Sequence, residues 1–249
     1  MFTLLSKKVV FITGVSKGIG KALAEKFKKE GFFTAGLSRS KPDGLELDLF
    51  IKADLVKDDK EKIVKELIRN TGRVDILINN AGVGLYESWE NMSEKDLRYI
   101  FELNFFSVVS LTKSFIPYLK ETKGTIINVS SVAGKIYVPF MGGYCATKFA
   151  LNAFSDSLRA ELKPYGIHVL NLIVGRINTG FSSRSLGSMK PPETPSFSTT
   201  PEKLAEKVYK AYLKKKREIT YPYWYGFFIL ISKLFPDVYD SINLKKWKS

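Results

Sequence analysis

A tyrosine and a lysine stand four residues apart in the stretch GGYCATKFALNAFSDSLRAEL, which covers 142–162. In a helix, residues at this spacing share one face, so the Lys148 ammonium can approach the Tyr144 phenol. A phenol ionises with a pKa of about 10, and a nearby cation favours its ionised form. The pair therefore predicts an acid–base group whose pKa the lysine lowers, although the same spacing is common on solvated helix faces.

A glycine-rich segment near the N-terminus has the composition of a phosphate-binding turn. The segment TGVSKGIG follows the strand-like VVFIT and leads directly into a helical pattern. Gly14 permits a tight turn, Gly18 lets the backbone approach a pyrophosphate, and Gly20 lets the helix pack closely on the sheet. The free N–H groups of the helix attract anions. Placed between a strand and a helix, the turn predicts a dinucleotide site rather than a flexible loop.

The elements that position these residues follow an alternating pattern. Short β-branched runs such as VDILIN and GTIINVS alternate with stretches of helical period such as 57–70 and 93–120. This alternation is typical of βαβ units in a parallel sheet that is covered by helices on both faces. We predict an α/β fold with three layers, a doubly wound parallel sheet of the Rossmann type, in a single domain over 1–249. Ser93 with Asp96, and Thr200 with Pro201, mark two helix starts.

Five separated motifs together resemble the short-chain dehydrogenase/reductase family. They are Thr13-Gly14-x-x-x-Gly18-x-Gly20, NNAG at 79–82, Asn104, Ser131 and Tyr144-x-x-x-Lys148. The resemblance extends from the first strand to about Thr179. It implies an enzyme that interconverts a carbonyl and an alcohol with a nicotinamide cofactor.

The resemblance also implies a role for each member of the catalytic set. Tyr144 would protonate the forming alkoxide, and Ser131, at the end of TIINVSS, would polarise the carbonyl oxygen. Lys148 would tune Tyr144 and approach a ribose of the cofactor. Asn104 would hold a water that links Lys148 to solvent as a proton relay. Ser130, one residue from the expected position, is the near alternative to Ser131.

Three residues decide which nicotinamide cofactor we expect. A site that prefers NAD places a carboxylate at the end of the second strand, where it holds the ribose 2′-OH. Ser38 occupies that position by family spacing, Arg39 follows it, and Lys17 lies in the glycine turn. Arg39 can bind a 2′-phosphate bidentately and Lys17 can add a point charge. We predict NADP(H), the alternative being that both cations are merely solvated.

By the same resemblance, Asp54 would contact the adenine and Thr179 the carboxamide end of the cofactor. The full set of predicted cofactor-binding residues is Gly14, Ser16, Lys17, Gly18, Ile19, Gly20, Ser38, Arg39, Asp54, Leu55, Asn80, Ala81, Gly82, Tyr144, Lys148, Ile177 and Thr179.

A segment rich in serine and proline, 181–200, is too long for an ordinary connection. We predict that it is a lid over the substrate, with a disordered insertion as the alternative. Its apolar residues Phe181, Leu186, Met189 and Phe197 favour an apolar or amphipathic small-molecule substrate.

Composition limits the remaining possibilities. The formal net charge of +14 would attract phosphates, nucleic acid or anionic membranes, but no nucleic-acid-reading element is recognisable. A single cysteine, Cys145, excludes an internal disulfide, and the N-terminus has no signal-peptide pattern, so we expect a cytoplasmic protein. We find no metal-ligand spacing and expect no metal site. His168, the only histidine, is expected to be structural.

The C-terminal extension, 221–249, is aromatic and apolar and lies between the basic run 214–217 and several terminal lysines. Its apolar run is too short to span a bilayer. We favour packing on a partner subunit of a homodimer or homotetramer, or over the substrate pocket; the alternative is that 221–235 lies on an anionic membrane. The alternative to an enzyme is a catalytically idle NADP(H)-binding redox sensor or a scaffold peripheral to a membrane.

Overall fold

A computed structural model of the chain describes residues 7–189 and 199–248. Among them, seven strands form one parallel sheet in the order β3-β2-β1-β4-β5-β6-β7. The strands are β1 (Val9–Thr13), β2 (Phe33–Ser38), β3 (Leu49–Lys52), β4 (Ile76–Asn79), β5 (Thr125–Ser131), β6 (His168–Val174) and β7 (Glu218–Tyr221). The order reverses between β1 and β4, which is where doubly wound sheets bind their ligands. The predicted fold class is confirmed.

Helices cover both faces of the sheet. They are α1 (Gly18–Lys29), α2 (Lys60–Thr71), α3 (Glu94–Phe101), α4 (Ser107–Thr122), α5 (Gly142–Leu162), α6 (Pro201–Leu213), α7 (Tyr225–Leu234) and α8 (Pro236–Lys248). Successive residues of a strand point to opposite faces, so a strand buried on both sides is apolar throughout. In β1, Phe11 packs with α2, α4 and α5, while Ile12 packs with α1 and α6.

The predicted helix over 93–120 is interrupted in the structure. Between α3 and α4 the chain forms one π-helical turn, Glu102–Phe106, with Asn104 at its centre. Single π turns inside helices are frequent at functional sites. Both predicted helix starts are present: the Ser93 hydroxyl accepts a hydrogen bond from the Asp96 amide, and α6 begins at Pro201 after Thr200.

The predicted lid is only partly described. Ser182–Arg184 forms a short 3-10 turn, and Leu186 pairs with Leu85 by a parallel bridge. Residues 190–198, including Phe197, lie outside the described residues. Within 7–189 and 199–248, no helix is both long and apolar enough to cross a membrane.

The basic run 214–217 and the aromatic tail are close in sequence, but they lie at opposite edges of the sheet. The run 214–217 precedes β7 and lies at the edge of the sheet where parallel strands begin, with the Lys216 carbonyl 2.9 Å from His168 Nε2. Helices α7 and α8 follow β7 at the opposite edge. The two segments are adjacent in sequence, but a parallel edge strand separates them in space.

Candidate active site

A cavity of about 1130 Å³ opens at the carboxyl ends of the strands and extends from the glycine turn to the C-terminal helices. Among the predicted site residues, those that line it are Gly14, Ser16, Lys17, Gly18, Ile19, Ser38, Arg39, Asp54, Leu55, Asn80, Ala81, Gly82, Ser131, Tyr144, Lys148, Ile177 and Thr179. The two that do not line it, Gly20 and Asn104, pack directly behind the wall. Residues separated by more than 160 positions in sequence therefore share one space.

The glycine turn is held open for an anion. Gly14 and Gly18 have positive φ angles of 74° and 61°, which side chains rarely tolerate. A Cβ on Gly20 would lie 2.2 Å from the Gly14 carbonyl oxygen, so only glycine permits this approach of α1 to the turn. Lys17 precedes α1 and makes no side-chain cap, leaving the first N–H groups of the helix available to a ligand. This cradle fits a pyrophosphate.

Asn80 fixes the turn from the neighbouring strand. Its side-chain amide donates to the carbonyl oxygens of Thr13 (2.8 Å) and Gly14 (3.2 Å). In return, the Thr13 hydroxyl accepts hydrogen bonds from the amides of Asn80 and Ala81, both at 3.0 Å. These bonds explain why the NNAG motif and the glycine turn occur together.

At the end of β2, cations stand where a carboxylate would select NAD. Ser38 is buried and its hydroxyl donates to the Ser40 carbonyl at 2.7 Å. Arg39 is solvent-exposed, lines the cavity and forms no ion pair with any described residue. Lys17 lines the same cavity. The Asp54 carboxylate, at the end of β3, accepts a hydrogen bond from the Val56 amide at 2.9 Å.

The predicted catalytic side chains converge at the other end. Ser131 closes β5, and its hydroxyl accepts from the Ala133 amide at 3.1 Å and lies close enough to the Tyr144 phenol to influence its pKa. Tyr144 and Lys148 are only 8% and 5% exposed on the inner face of α5. The Lys148 ammonium donates to the Val129 carbonyl at 2.9 Å and lies 5.8 Å from the centre of the Tyr144 ring.

The pKa of Tyr144 moves against the direction expected from sequence. Burial raises the pKa of the Tyr144 phenol above its ordinary value, and the hydrogen bond with Ser131 opposes that rise. Burial also lowers the pKa of Lys148 from 10.5 to about 8. The prediction from the i, i+4 spacing rested only on the attraction between the cation and the phenolate. In this structure the loss of solvent around both groups has the larger effect on their pKa values.

Asn104 holds the wall of the cavity through its side chain. Its oxygen accepts from the Val83 amide and its nitrogen donates to the Val83 carbonyl, both at 2.9 Å. The nitrogen also lies 3.3 Å from the Thr147 hydroxyl on α5. A Cβ on Gly82 would be 3.0 Å from the Asn104 oxygen. The side chain thus ties the π turn, the loop after β4 and α5 together, and the proton relay stays a prediction.

A carboxylate that no sequence motif indicates anchors the first part of the lid. Glu87 is buried, and its carboxylate accepts from the Ser188 amide (3.0 Å), the Ser188 hydroxyl (2.7 Å) and the Ser88 amide (3.0 Å). The hydrogen bonds from Ser188 lower the pKa of Glu87. At Gly187 a Cβ would lie 2.1 Å from the Tyr86 carbonyl oxygen, so the two segments cross in contact. No local pattern signals this long-range pairing.

The C-terminal extension forms one wall of the cavity, which agrees with the expected packing over the substrate pocket. Tyr225, Tyr239, Asn243 and Trp247 line it. The Tyr239 hydroxyl donates to the Tyr137 carbonyl at 2.8 Å and anchors α8 to the segment before α5. The Trp247 ring lies 6.1 Å from that of Tyr86 and 5.3 Å from that of Phe140. Gly175 leaves space for the Tyr225 ring, because a Cβ there would be 2.2 Å from it.

His168 and Cys145 are of residue types that are often reactive, but both lack the surroundings of a reactive group. His168 bonds the Lys216 carbonyl at the far edge of the sheet. Cys145 is buried, and burial raises the pKa of its thiol to about 11, which disfavours the reactive thiolate. In the part of the chain that the structure describes, no three His, Cys, Asp or Glu side chains cluster to hold a metal.

Comparison with known proteins identifies the class that this fold and site define. The family described as short chain dehydrogenase matches residues 8–188. The 3-ketodihydrosphingosine reductase of Bacteroides thetaiotaomicron is 33% identical over 180 residues, which cover 72% of this chain and 67% of that protein. The NADPH-dependent 1-acyldihydroxyacetone phosphate reductase of Schizosaccharomyces pombe is 34% identical over 194 residues, 74% and 64% of the two chains. The matches span about two thirds of the length of these relatives.

Two solved structures have the same fold as this chain. An alcohol dehydrogenase from Thermococcus sibiricus, complexed with 5-hydroxy-NADP, superposes with a TM-score of 0.76 at 27% identity, over 88% of this chain and 98% of the other. A short-chain dehydrogenase from Streptomyces avermitilis superposes with a TM-score of 0.80 at 26% identity, over 98% and 97%. The chain belongs to the short-chain dehydrogenase family. It is an oxidoreductase that acts on carbonyl or alcohol groups, and its fold is one that binds a nicotinamide cofactor.

Proposed function

We propose that the protein is an NADP(H)-dependent oxidoreductase that interconverts a carbonyl and an alcohol on an apolar or amphipathic small molecule, with Tyr144 as acid and base. One observation carries the proposal. A single cavity joins the uncapped glycine turn at α1 to Ser131, Tyr144 and Lys148. A cofactor bound along the turn would thus extend toward the end of the cavity where the Ser131 hydroxyl, the Tyr144 phenol and the Lys148 ammonium meet.

Ser131, Tyr144 and Lys148 would each have a separate role in the reaction. A bound nicotinamide cofactor supplies or accepts the hydride. The Ser131 hydroxyl donates to the substrate oxygen and holds it beside the Tyr144 phenol, which gives up its proton as the alkoxide forms. The Lys148 ammonium stabilises the resulting phenolate, whose burial otherwise opposes ionisation. The Ser131 hydroxyl lies close enough to the phenol to influence its pKa, so the substrate oxygen would meet both groups together.

Preference for NADP(H) over NAD(H) rests on Arg39 and Lys17, which line the cavity beside Ser38 in place of a carboxylate. A charge-assisted bond from Arg39 to the 2′-phosphate would be absent with NADH. Replacing Arg39 with serine is expected to weaken NADPH binding about tenfold and leave NADH binding unchanged, because a hydrogen bond to a charged group contributes about 1.5–3 kcal/mol, less at an exposed position.

Fluorescence titration with NADPH and NADH measures both affinities. Lys41→Ser, which removes a nearby exposed cation that does not line the cavity, is the matched control. Tighter binding of NADH than of NADPH by the unchanged protein would refute the cofactor assignment.

The walls beyond Tyr144 support an apolar substrate. Ile136, Val138, Met141 and Phe181 line this part of the cavity, and the rings of the C-terminal extension add to it. Two of the relatives described above are named as reductases of a sphingoid ketone and of an acylated ketone. We therefore favour a ketone that carries an alkyl or acyl chain.

A panel of ketones tests this choice. With NADPH present, kcat/KM is expected to rise with the length of the alkyl chain, because each CH₂ that enters an apolar wall contributes up to about 0.8 kcal/mol. Equal or falling kcat/KM along the series would contradict an apolar site. No oxidation of NADPH by any ketone or aldehyde would instead favour the redox-sensor alternative.

A further inference from the structure

Helices α7 and α8 form a C-terminal hairpin with two apolar faces. The inner face contributes Tyr225, Tyr239 and Trp247 to the cavity. We define the outer face by six apolar side chains whose exposed fractions range from 50% to 65%: Phe227, Leu230, Leu234, Phe235, Val238 and Ile242.

The outer face follows from the sequence of the two helices. Residues 227, 230 and 234 repeat at helical spacing on one side of α7, while Ser232 on the other side is buried. Large apolar side chains scattered singly over a surface need no explanation, whereas a contiguous set marks a site of interaction. The outer face gathers six exposed apolar side chains on two consecutive helices.

The hairpin carries more cations than anions. Between 225 and 248 there are four lysines and two aspartates, a formal charge of +2. Lys233 and Lys245 are exposed on α7 and α8, as is Asp237, while Asp240 is half-buried beside Tyr137. The whole chain carries a formal charge of +14.

We propose that the outer face docks on an anionic lipid bilayer. An apolar helical surface on helices that also expose lysines has the composition of an interfacial segment that lies at the boundary of headgroups and acyl chains. The aromatic Tyr223, which is 81% exposed at the start of α7, adds a side chain suited to that boundary.

Docking in this position would connect the bilayer to the active site. The same two helices have the membrane on one side and the cavity on the other, so an alkyl ketone dissolved in lipid would have a short path to Tyr144. This second step rests on the proposed function, while the docking itself does not.

A second copy of the chain is the competing occupant of the outer face. Two hairpins packed face to face would bury the same apolar side chains, but they would also bring the exposed lysines of both copies together. An anionic surface satisfies the apolar side chains and the cations at once.

Vesicle flotation tests the proposal. The protein is mixed with phosphatidylcholine vesicles that contain about a third phosphatidylserine. The double variant Phe227→Ser with Leu230→Ser removes two apolar anchors. The matched control is Leu213→Ser, since Leu213 is 60% exposed at the end of α6, beside the basic run at the other edge of the sheet.

We expect the unchanged protein and the control to float with the vesicles. The double variant is expected to bind the vesicles more weakly by a factor of at least about ten. Binding is also expected to weaken between about 0.1 M and about 1 M salt, because salt screens the attraction between the exposed lysines and the anionic lipid. NADPH binding by the double variant verifies that it is folded.

Three results would overturn the proposal. The first is the absence of the unchanged protein from the vesicle fraction. The second is equal flotation of the double variant and the unchanged protein. The third is dissociation of a dimer by the double substitution, seen by light scattering, without vesicle binding by the parent. Flotation requires no turnover, so failure of the enzymatic proposal would leave this measurement unaffected.

Discussion

Replacing Lys148 with methionine is expected to change the way in which stability depends on pH. The side chain is 5% exposed, and burial lowers its pKa from 10.5 to about 8. Between these values the unfolded chain binds the proton and the folded protein releases it, so the folded state gains stability as the pH rises. The gap between the two pKa values corresponds to about 3 kcal/mol, taking about 1.4 kcal/mol for each tenfold change in acidity.

Urea unfolding at a series of pH values measures this effect. Relative to Lys148→Met, the unchanged protein is expected to gain up to about 3 kcal/mol of unfolding free energy between pH 7 and about pH 10. The loss of the hydrogen bond to the Val129 carbonyl shifts the variant by an amount that is independent of pH, so it does not obscure the slope.

Lys113→Met, at an exposed position of α4, controls for the removal of one positive charge. Parallel pH curves for the unchanged protein and Lys148→Met would refute the conclusion that burial perturbs this ammonium. A confirmed slope would mean that Lys148 weakens the fold at neutral pH, as expected of a group retained for its chemistry.

Two further changes test the support of the site. Glu87→Gln is expected to raise the KM for the ketone several-fold and to speed hydrogen exchange at Ser188, because it removes the charge that binds this residue; unchanged exchange would contradict an anchoring role. Gly20→Ala is expected to lower stability by about 1–3 kcal/mol and to weaken NADPH binding, because its Cβ would overlap the Gly14 carbonyl. Gly226→Ala, where a Cβ meets nothing within 4 Å, is the control, and equal thermal unfolding of both variants would refute the packing argument.

Local patterns predicted the fold, and the predicted catalytic residues come together in it for a physical reason. The alternation of buried strands and amphipathic helices determines a parallel sheet, and the carboxyl ends of parallel strands meet at one edge. Gly14 after β1, Asn80 after β4 and Ser131 at the end of β5 therefore converge on one cavity, although they are distant in sequence.

The features that were missed depend on long-range contacts and on solvent. The bond between Glu87 and Ser188 joins residues 101 positions apart, and neither belongs to a motif. The direction of the Tyr144 pKa required knowledge of its burial, which helical spacing alone does not give. The tail was recognisable as apolar, but its division into a cavity wall and an exposed face became visible only with α7 and α8 in place.

The central claim is that Tyr144 supplies the proton for carbonyl reduction, and Tyr144→Phe tests it most directly. The substitution keeps the ring, which packs 5.9 Å from that of Phe181, and removes only the hydroxyl. Following NADPH absorbance with a ketone that the parent reduces, we expect turnover to fall about a hundred- to ten-thousandfold while NADPH affinity is retained. Turnover close to that of the parent would contradict the account.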